Sequence, residues 1–325
     1  MKTVIMINHL SGGGSYLSRL SSFLYQEGGL NVIKVKRLKP FVFYIETDVR
    51  QFILKGKRSL HSILQQWDFF NAFNSKEIGS FVLFPNGKKV ISGYGCSWVL
   101  IPYFNASPIQ YSSEQDRQDA LSTIISFHQL SKGVLVENPI LIPPIYIKWY
   151  NRLDKFKYTR DLMEQYGYLT LYKDILQITK TRLEVFESLD WYSIEKDAVD
   201  QNTWVHGDVA SHNFMRDEEN HIYLIDFDLL ALAPNLYDYI QLGQRFLPFI
   251  KWNTSKLMEY SVFEKDMDIM VWLSGICVPS DIIREWLHFI RRYKTDHQLK
   301  DYLSQLSKYW LQRKEFVENV DFMLR

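Results

Sequence analysis

The sequence predicts an α+β chain with two lobes, a small β-rich one first and a larger, mainly helical one after it. Three observations point there. Between Val32 and Phe104, short runs of alternating apolar and polar residues are separated by turn residues, the period-two signature of half-buried strands. Beyond Ser113 the apolar residues recur instead at the three- and four-residue spacing of helices. Finally, 325 residues, 46% apolar and 23% charged, are enough for two lobes with the balance of a compact protein.

Element by element, Tyr16 to Gln26 reads as a short helix after the glycine-rich joint Ser11–Ser15. That joint lacks the Lys-Ser/Thr pair a phosphate-binding loop would need. Val32–Leu38, Phe41–Thr47 and Gln51–Lys55 read as strands, and Leu60–Phe73 as a helix with Leu60, Ile63, Leu64, Trp67 and Phe70 on one side. Asn86-Gly87 is a hairpin signal between two apolar runs, and SWVLIPYF supplies another strand. A five-stranded sheet plus helix therefore fills residues 1–104, with the boundary near residues 101–106. Residues 105–325 form the second lobe: a helix over 113–131, a proline-rich break at NPILIPPIYIKW and one or two helices over 153–189. Further helices follow near 255–273, 281–292 and 299–317, with Ser280 as an N-cap.

Composition excludes several classes. There are 38 Lys or Arg against 37 Asp or Glu, so the chain lacks the basic excess of a dedicated nucleic-acid binder. Two cysteines, Cys96 and Cys277, make neither a disulfide scaffold nor a zinc cluster and suit a reduced, cytoplasmic setting. No stretch of about 18 apolar residues is present, so no membrane span is expected, and the N-terminus is too polar for a secretory signal.

The chemistry concentrates in WVHGDVASHNFMRDEENHIYLIDFD, residues 204–228, where Asp208, Asn213, Asp226 and Asp228 interrupt apolar segments. Two short strands joined by a loop and a turn would bring such oxygens to one cavity. Phosphoryl transfer needs one carboxylate to orient an attacking hydroxyl and others, with an amide, to hold a divalent metal against phosphate. Asp and Asn supply the oxygen ligands that Mg2+ prefers. Lys55, closing FILK at the edge of the small sheet, supplies a mobile cation for polyphosphate.

H-G-D-x-x-x-x-N followed by I-D-F-D resembles the aminoglycoside phosphotransferase and choline kinase family, relatives of protein kinases. Within it, the FILK-bearing first lobe and the chain length are most similar to the spore-coat-associated kinase-like proteins of Bacillus-type bacteria. The resemblance implies a two-lobed protein-kinase-like fold and ATP-dependent transfer of the γ-phosphoryl group to a hydroxyl or amine of a small molecule, sugar or glycan. It makes Asp208 the catalytic base, with Asn213 steadying the catalytic loop. Asn213, Asp226 and Asp228 would be metal ligands for Mg2+. Lys55 would be the phosphate-binding lysine, with the backbone of Ile101 and Tyr103 facing the adenine. It also implies His128 and Asp238 as structural groups. The alternative it carries is a weak or inactive kinase-like binding protein of the spore coat, with coat proteins as partners. One departure stands out: the helix after Lys55 offers Gln65, Gln66 and Asp68, but no Glu to hold that lysine.

Overall fold

A computed structural model describes residues 5–6, 16–73 and 78–324; the glycine-rich joint Ser11–Ser15 lies outside them. The chain divides into two units. Unit 1 comprises Met1–Ile109, Val134–Ile140 and His212–Leu230; unit 2 comprises Gln110–Gly133, Leu141–Ser211 and Ala231–Arg325. The segment 212–230 thus groups with the sheet, far along the chain from the expected boundary.

Unit 1 is built on an antiparallel six-stranded sheet. In chain order its strands are β1 (Ile5–Met6), β2 (Lys34–Lys39), β3 (Val42–Glu46), β4 (Gln51–Lys57), β5 (Ile91–Gly93) and β6 (Cys96–Pro102), arranged β1-β2-β3-β4-β6-β5. The expected five gain a two-residue partner, β1, whose Ile5 pairs with Val35. Helix α1 (Tyr16–Gly28) follows β1, and α2 (Leu60–Phe73) lies between β4 and β5.

Alternation along β4 sorts its side chains. Phe52 and Leu54 enter the core with Leu20 and Leu24 of α1, Phe43, Ile45 and Trp98, while Lys55 and Lys57 lie on the opposite face. Gly56 falls on the core face, where a Cβ would come within 2.8 Å of the Trp98 ring.

The hairpin joining β5 to β6 does not turn at Asn86-Gly87. It turns at Tyr94-Gly95, between paired Gly93 and Cys96, with φ of 55° and 69°. A two-residue turn of this twist needs positive φ at both central positions, and at Asn86-Gly87 only Gly87 has it. The run before Asn86 contributes one bridge, Val82 with Leu100.

A second sheet of unit 1 orders β10-β9-β7, from β7 (Ala106–Pro108), β9 (Phe214–Asp217) and β10 (Ile222–Leu224). The β9–β10 turn is stitched by Asp217, whose Oδ1 accepts the Glu219 and His221 N–H groups at 2.9 and 2.8 Å.

Unit 2 is mainly helical. Its helices are α3 (Glu114–Ser131), α4 (Ile145–Lys157), α5 (Arg160–Gln165), α6 (Leu169–Glu187), α7 (Trp191–Asp200), α8 (Leu236–Phe246), α9 (Thr254–Met258), α10 (Asp266–Cys277), α11 (Ser280–Phe289) and α12 (Asp296–Met323). The proline-rich stretch breaks the chain only as far as Pro144; from Ile145 it is helical, with the Pro144 carbonyl accepting the Ile147 N–H at 3.0 Å and Tyr237 OH accepting the Ile145 N–H at 3.1 Å. Ser280 is the first residue of α11 rather than its cap, which is Pro279. A two-stranded ribbon, β8 (Trp204–Val205) with β11 (Ala231–Leu232), leads into the loop that carries Asp208. Both cysteines are free and buried.

Candidate active site

In unit 1 the hairpin β9–β10 delivers the Asp226-Phe227-Asp228 turn. The Ile225 N–H donates to the Asn213 carbonyl at 2.9 Å, extending the register beyond Phe214 and Leu224, so buried Asn213 lies against the strand end that leads to Asp226. Gly79 N–H caps the Leu224 carbonyl at 2.9 Å. Phe227, 2% exposed, packs edge-on against Phe70 of α2 at 5.4 Å. Asp226 is left-handed, with φ 68° and ψ 58°, a conformation that costs energy for any residue with a Cβ and is least costly for Asn and Asp. The anchored phenylalanine and capped strand hold it there.

The turn brings both carboxylates to the face of β4 opposite the sheet's core. Lys55 Nζ reaches Asp226 Oδ1 at 2.5 Å and Asp228 Oδ1 at 2.7 Å, and Lys57 Nζ reaches the same Asp228 oxygen at 2.6 Å. Lys55 therefore has the anchors that α2 does not provide. Asp68 is exposed, and buried Gln65 spends its amide on the Leu230 carbonyl and the Ile140 N–H. Burial pushes the Lys57 ammonium below its ordinary range despite Asp228 beside it. For Asp228, burial acts upward but the charges of Lys55 and Lys57 outweigh it, and its carboxyl sits below the usual range.

Asp228, expected as a metal ligand, is thus placed as the shared anchor of two lysines. Among the described residues the lysine contact of Asp226 falls on Oδ1. Among the described residues no group of three His, Cys, Asp or Glu is arranged to hold a metal. One carboxylate plus the Asn213 amide is the sparse oxygen set that suits Mg2+, an ion that keeps waters and shares substrate phosphates.

The backbone groups expected to face adenine, at Ile101 and Tyr103, lie along the β4–β6 ladder. Tyr103 N–H donates to the Gln51 carbonyl at 3.1 Å, and Ile101 pairs with Ile53, two residues along the same ladder. Bonded pairs alternate in an antiparallel ladder, so Ile101 turns its backbone groups toward β4, as Tyr103 does its N–H. Leu100 C=O accepts Val82 N–H at 2.9 Å, and the next carbonyl on that side of β6 is Pro102.

In unit 2, Asp208 lies in the loop after β8, whose Gly207 takes φ 81°. Asp238 in the first turn of α8 is fully buried and clamps that loop: it accepts the His206 N–H at 2.7 Å, the Gly207 N–H at 2.9 Å and His128 Nε2 at 3.0 Å. Burial pushes its carboxyl up, but the hydrogen bonds and the charge of His128 and His206 prevail and hold it below the usual range. The structural roles implied for His128 and Asp238 are these. Tyr111 OH secures the loop further at the Val209 carbonyl, 2.7 Å away.

Asp208 Oδ1 accepts Arg245 Nη2 at 2.8 Å. Arg245 and Lys57 were not found by sequence reading. Each had a faint signal: Arg245 is seven residues, two helical turns, beyond Asp238 on α8, and Lys57 is two residues beyond Lys55 on one strand face.

The sequence model of the phosphotransferase enzyme family (APH) matches residues 40–254. No curated protein matches the chain in sequence. Among solved structures, an aminoglycoside phosphotransferase from Alicyclobacillus acidocaldarius is similar with a TM-score of 0.71 and 15% identity, over 96% of this chain and 98% of that one. A spectinomycin phosphotransferase, APH(9)-Ia, solved with ADP and spectinomycin, gives 0.59 and 17% over 93% of each chain. The choline kinase LicA from Streptococcus pneumoniae gives 0.53 and 10% over 94% of this chain and 100% of its own. These likenesses establish the kinase-like fold, and the family match spans roughly two-thirds of the sequence: the chain belongs to the phosphotransferase enzyme family.

Proposed function

We propose that this chain transfers the γ-phosphoryl group of ATP to a hydroxyl or amine of a small molecule, sugar or glycan. The observation that carries the reading is the Lys55–Asp226–Asp228 cluster in unit 1 of a phosphotransferase-family chain. An ammonium held between two carboxylates is oriented for a phosphate before the nucleotide arrives, which lowers the cost of ordering it.

In this reading Lys55 binds the nucleotide's phosphate oxygens, and Asp228 with Lys57 sets its position. Asp226 and Asn213 would hold Mg2+, which when bound neutralises charge on the phosphates. The Pro102 carbonyl accepts the adenine amino group. Asp208, on a loop clamped by Asp238, orients the acceptor hydroxyl and takes its proton as the oxygen attacks phosphorus. Arg245 keeps that carboxylate aimed. Kinship with spore-coat-associated kinase-like proteins rests on the first-lobe sequence and length alone. It supplies the competing reading, a nucleotide-binding protein without turnover.

The test is transfer from γ-labelled ATP into a small-molecule cell extract, resolved by mass. D208N should reduce transfer about 100-fold or more, the usual range for losing a positioned base, with an unchanged melting curve. K55A should reduce it comparably. Nucleotide binding by a wild-type chain that labels nothing in any extract would reject transfer and leave the binding protein.

A further inference from the structure

Unit 2 gathers four cations on three helices around the loop that carries Asp208. Lys148 and Arg152 stand one helical turn apart on α4 and so share a face. Arg152 Nη1 donates to Ser280 Oγ at 2.9 Å, tying that face to the start of α11, and Arg284 follows one turn along α11. Arg245 comes from α8, with one nitrogen on Asp208 and its Nε buried without a hydrogen-bond partner. The cations sense one another. Burial, and then the charge of Arg284, push Arg152 down to about 10; burial, Arg152 and Arg284 lower Lys148; burial and Arg284 lower Arg245.

The nearby carboxylates do not balance this cluster. Asp208 is engaged by Arg245, Glu285 by Arg284 at 3.0 Å, and Asp281 by Arg313 at 3.3 Å. Among the described residues Lys148 and Arg152 have no ion-pair partner, and Arg152 offers five donors of which Ser280 uses one. Packing does not require this: a chain that only needed to join α4 to α11 could do so with neutral side chains, avoiding the repulsion. A bound anion would relieve it, with guanidinium and ammonium donors in the charge-assisted geometry that phosphate and carboxylate favour.

We propose that the phosphoryl acceptor carries an anionic group, a phosphate ester or a carboxylate, and that Lys148 and Arg152 bind that group near Asp208. As a statement about the acceptor this rests on the phosphotransferase reading; anion binding by the cluster stands apart from it. The same charges repel a cationic acceptor, so an amine-bearing sugar or a quaternary amine is the wrong class for this chain.

The first measurement is calorimetric titration of the full chain with inorganic phosphate, in the K55A background so that the nucleotide site contributes nothing. Binding is expected, weakened about ten-fold or more when K148Q and R152Q are added, as loss of charge-assisted contacts implies. Circular dichroism establishes that each variant is folded, and if the combined variant is not, K148Q alone serves. The second measurement offers γ-labelled ATP with hydroxylated phosphate esters, hydroxycarboxylates, neutral polyols, choline and an amino sugar. Transfer to one of the first two classes, with K148Q raising KM and leaving kcat within about two-fold, supports the proposal and tells phosphate from carboxylate. Absence of phosphate binding, equal binding in the substituted chain, or transfer to choline or the amino sugar undiminished by K148Q overturns it. Phosphate binding that depends on Lys148 and Arg152, with no transfer to any compound, supports the anion site and counts against the phosphotransferase reading.

Discussion

Replacing Asp238 removes the side chain that holds the backbone of the Asp208 loop at His206 and Gly207. Its carboxylate is fully buried and accepts three hydrogen bonds, from the backbone N–H groups of His206 and Gly207 and from His128 Nε2. In D238A three donors lose their acceptor. At roughly 1–3 kcal/mol for each buried group left unsatisfied, less what entering water recovers, the cost is about 3–5 kcal/mol, a large share of the stability of an ordinary domain. D238N keeps one acceptor oxygen but sets an amide N–H2 against a donor, and should cost about 2–4 kcal/mol. Urea unfolding followed by circular dichroism gives the loss, and a cycle with H128A should show coupling of about 1–3 kcal/mol. The same variant tests the pH dependence. A carboxyl depressed in the folded state contributes stability at pH above its unfolded value, about 3.9, and that contribution disappears as pH falls through the folded value. Wild type should therefore lose more stability than D238N as pH drops below about 4. A D238N loss under about 0.5 kcal/mol, the size of an ordinary surface substitution, would refute the clamp.

Two further outcomes follow from unit 1. D226N should raise the magnesium needed for half-maximal transfer about ten-fold or more, while D228N leaves it within about two-fold and raises KM for ATP, because Asp228 Oδ1 is occupied by two lysines; a magnesium titration of both variants separates them. G56V should destabilise by about 1–3 kcal/mol in thermal melts, since the Trp98 ring is fully buried, its Nε1 is bonded to the Gly93 carbonyl at 2.8 Å, and it has nowhere to move.

Local pattern carried much of the architecture. Alternation located β2, β3, β4 and β6, and helical spacing located α2 to the residue, because both periodicities are properties of contiguous segments. It misplaced the hairpin, since Asn-Gly announces a turn only where both residues can take positive φ, and Tyr94-Gly95 met that condition with a less familiar pair. The helices after Pro139 were blurred for a similar reason: a proline that breaks one helix also begins the next.

For the site, the letters singled out Lys55, Asp208, Asn213, Asp226 and Asp228 as candidates, because Asp, Asn and Lys are too costly to place beside apolar strands without a partner. They could not determine the partners. Lys55 meets Asp226 across 171 residues and Asp208 meets Arg245 across 37, distances over which no periodicity reports. Only the folded backbone decides that Asp228 anchors two lysines, that the Tyr103 N–H faces β4, and that Arg245 meets Asp208. Each is an electrostatic or hydrogen-bonding relation between segments brought together by packing, and such relations exist only once the chain has closed on itself.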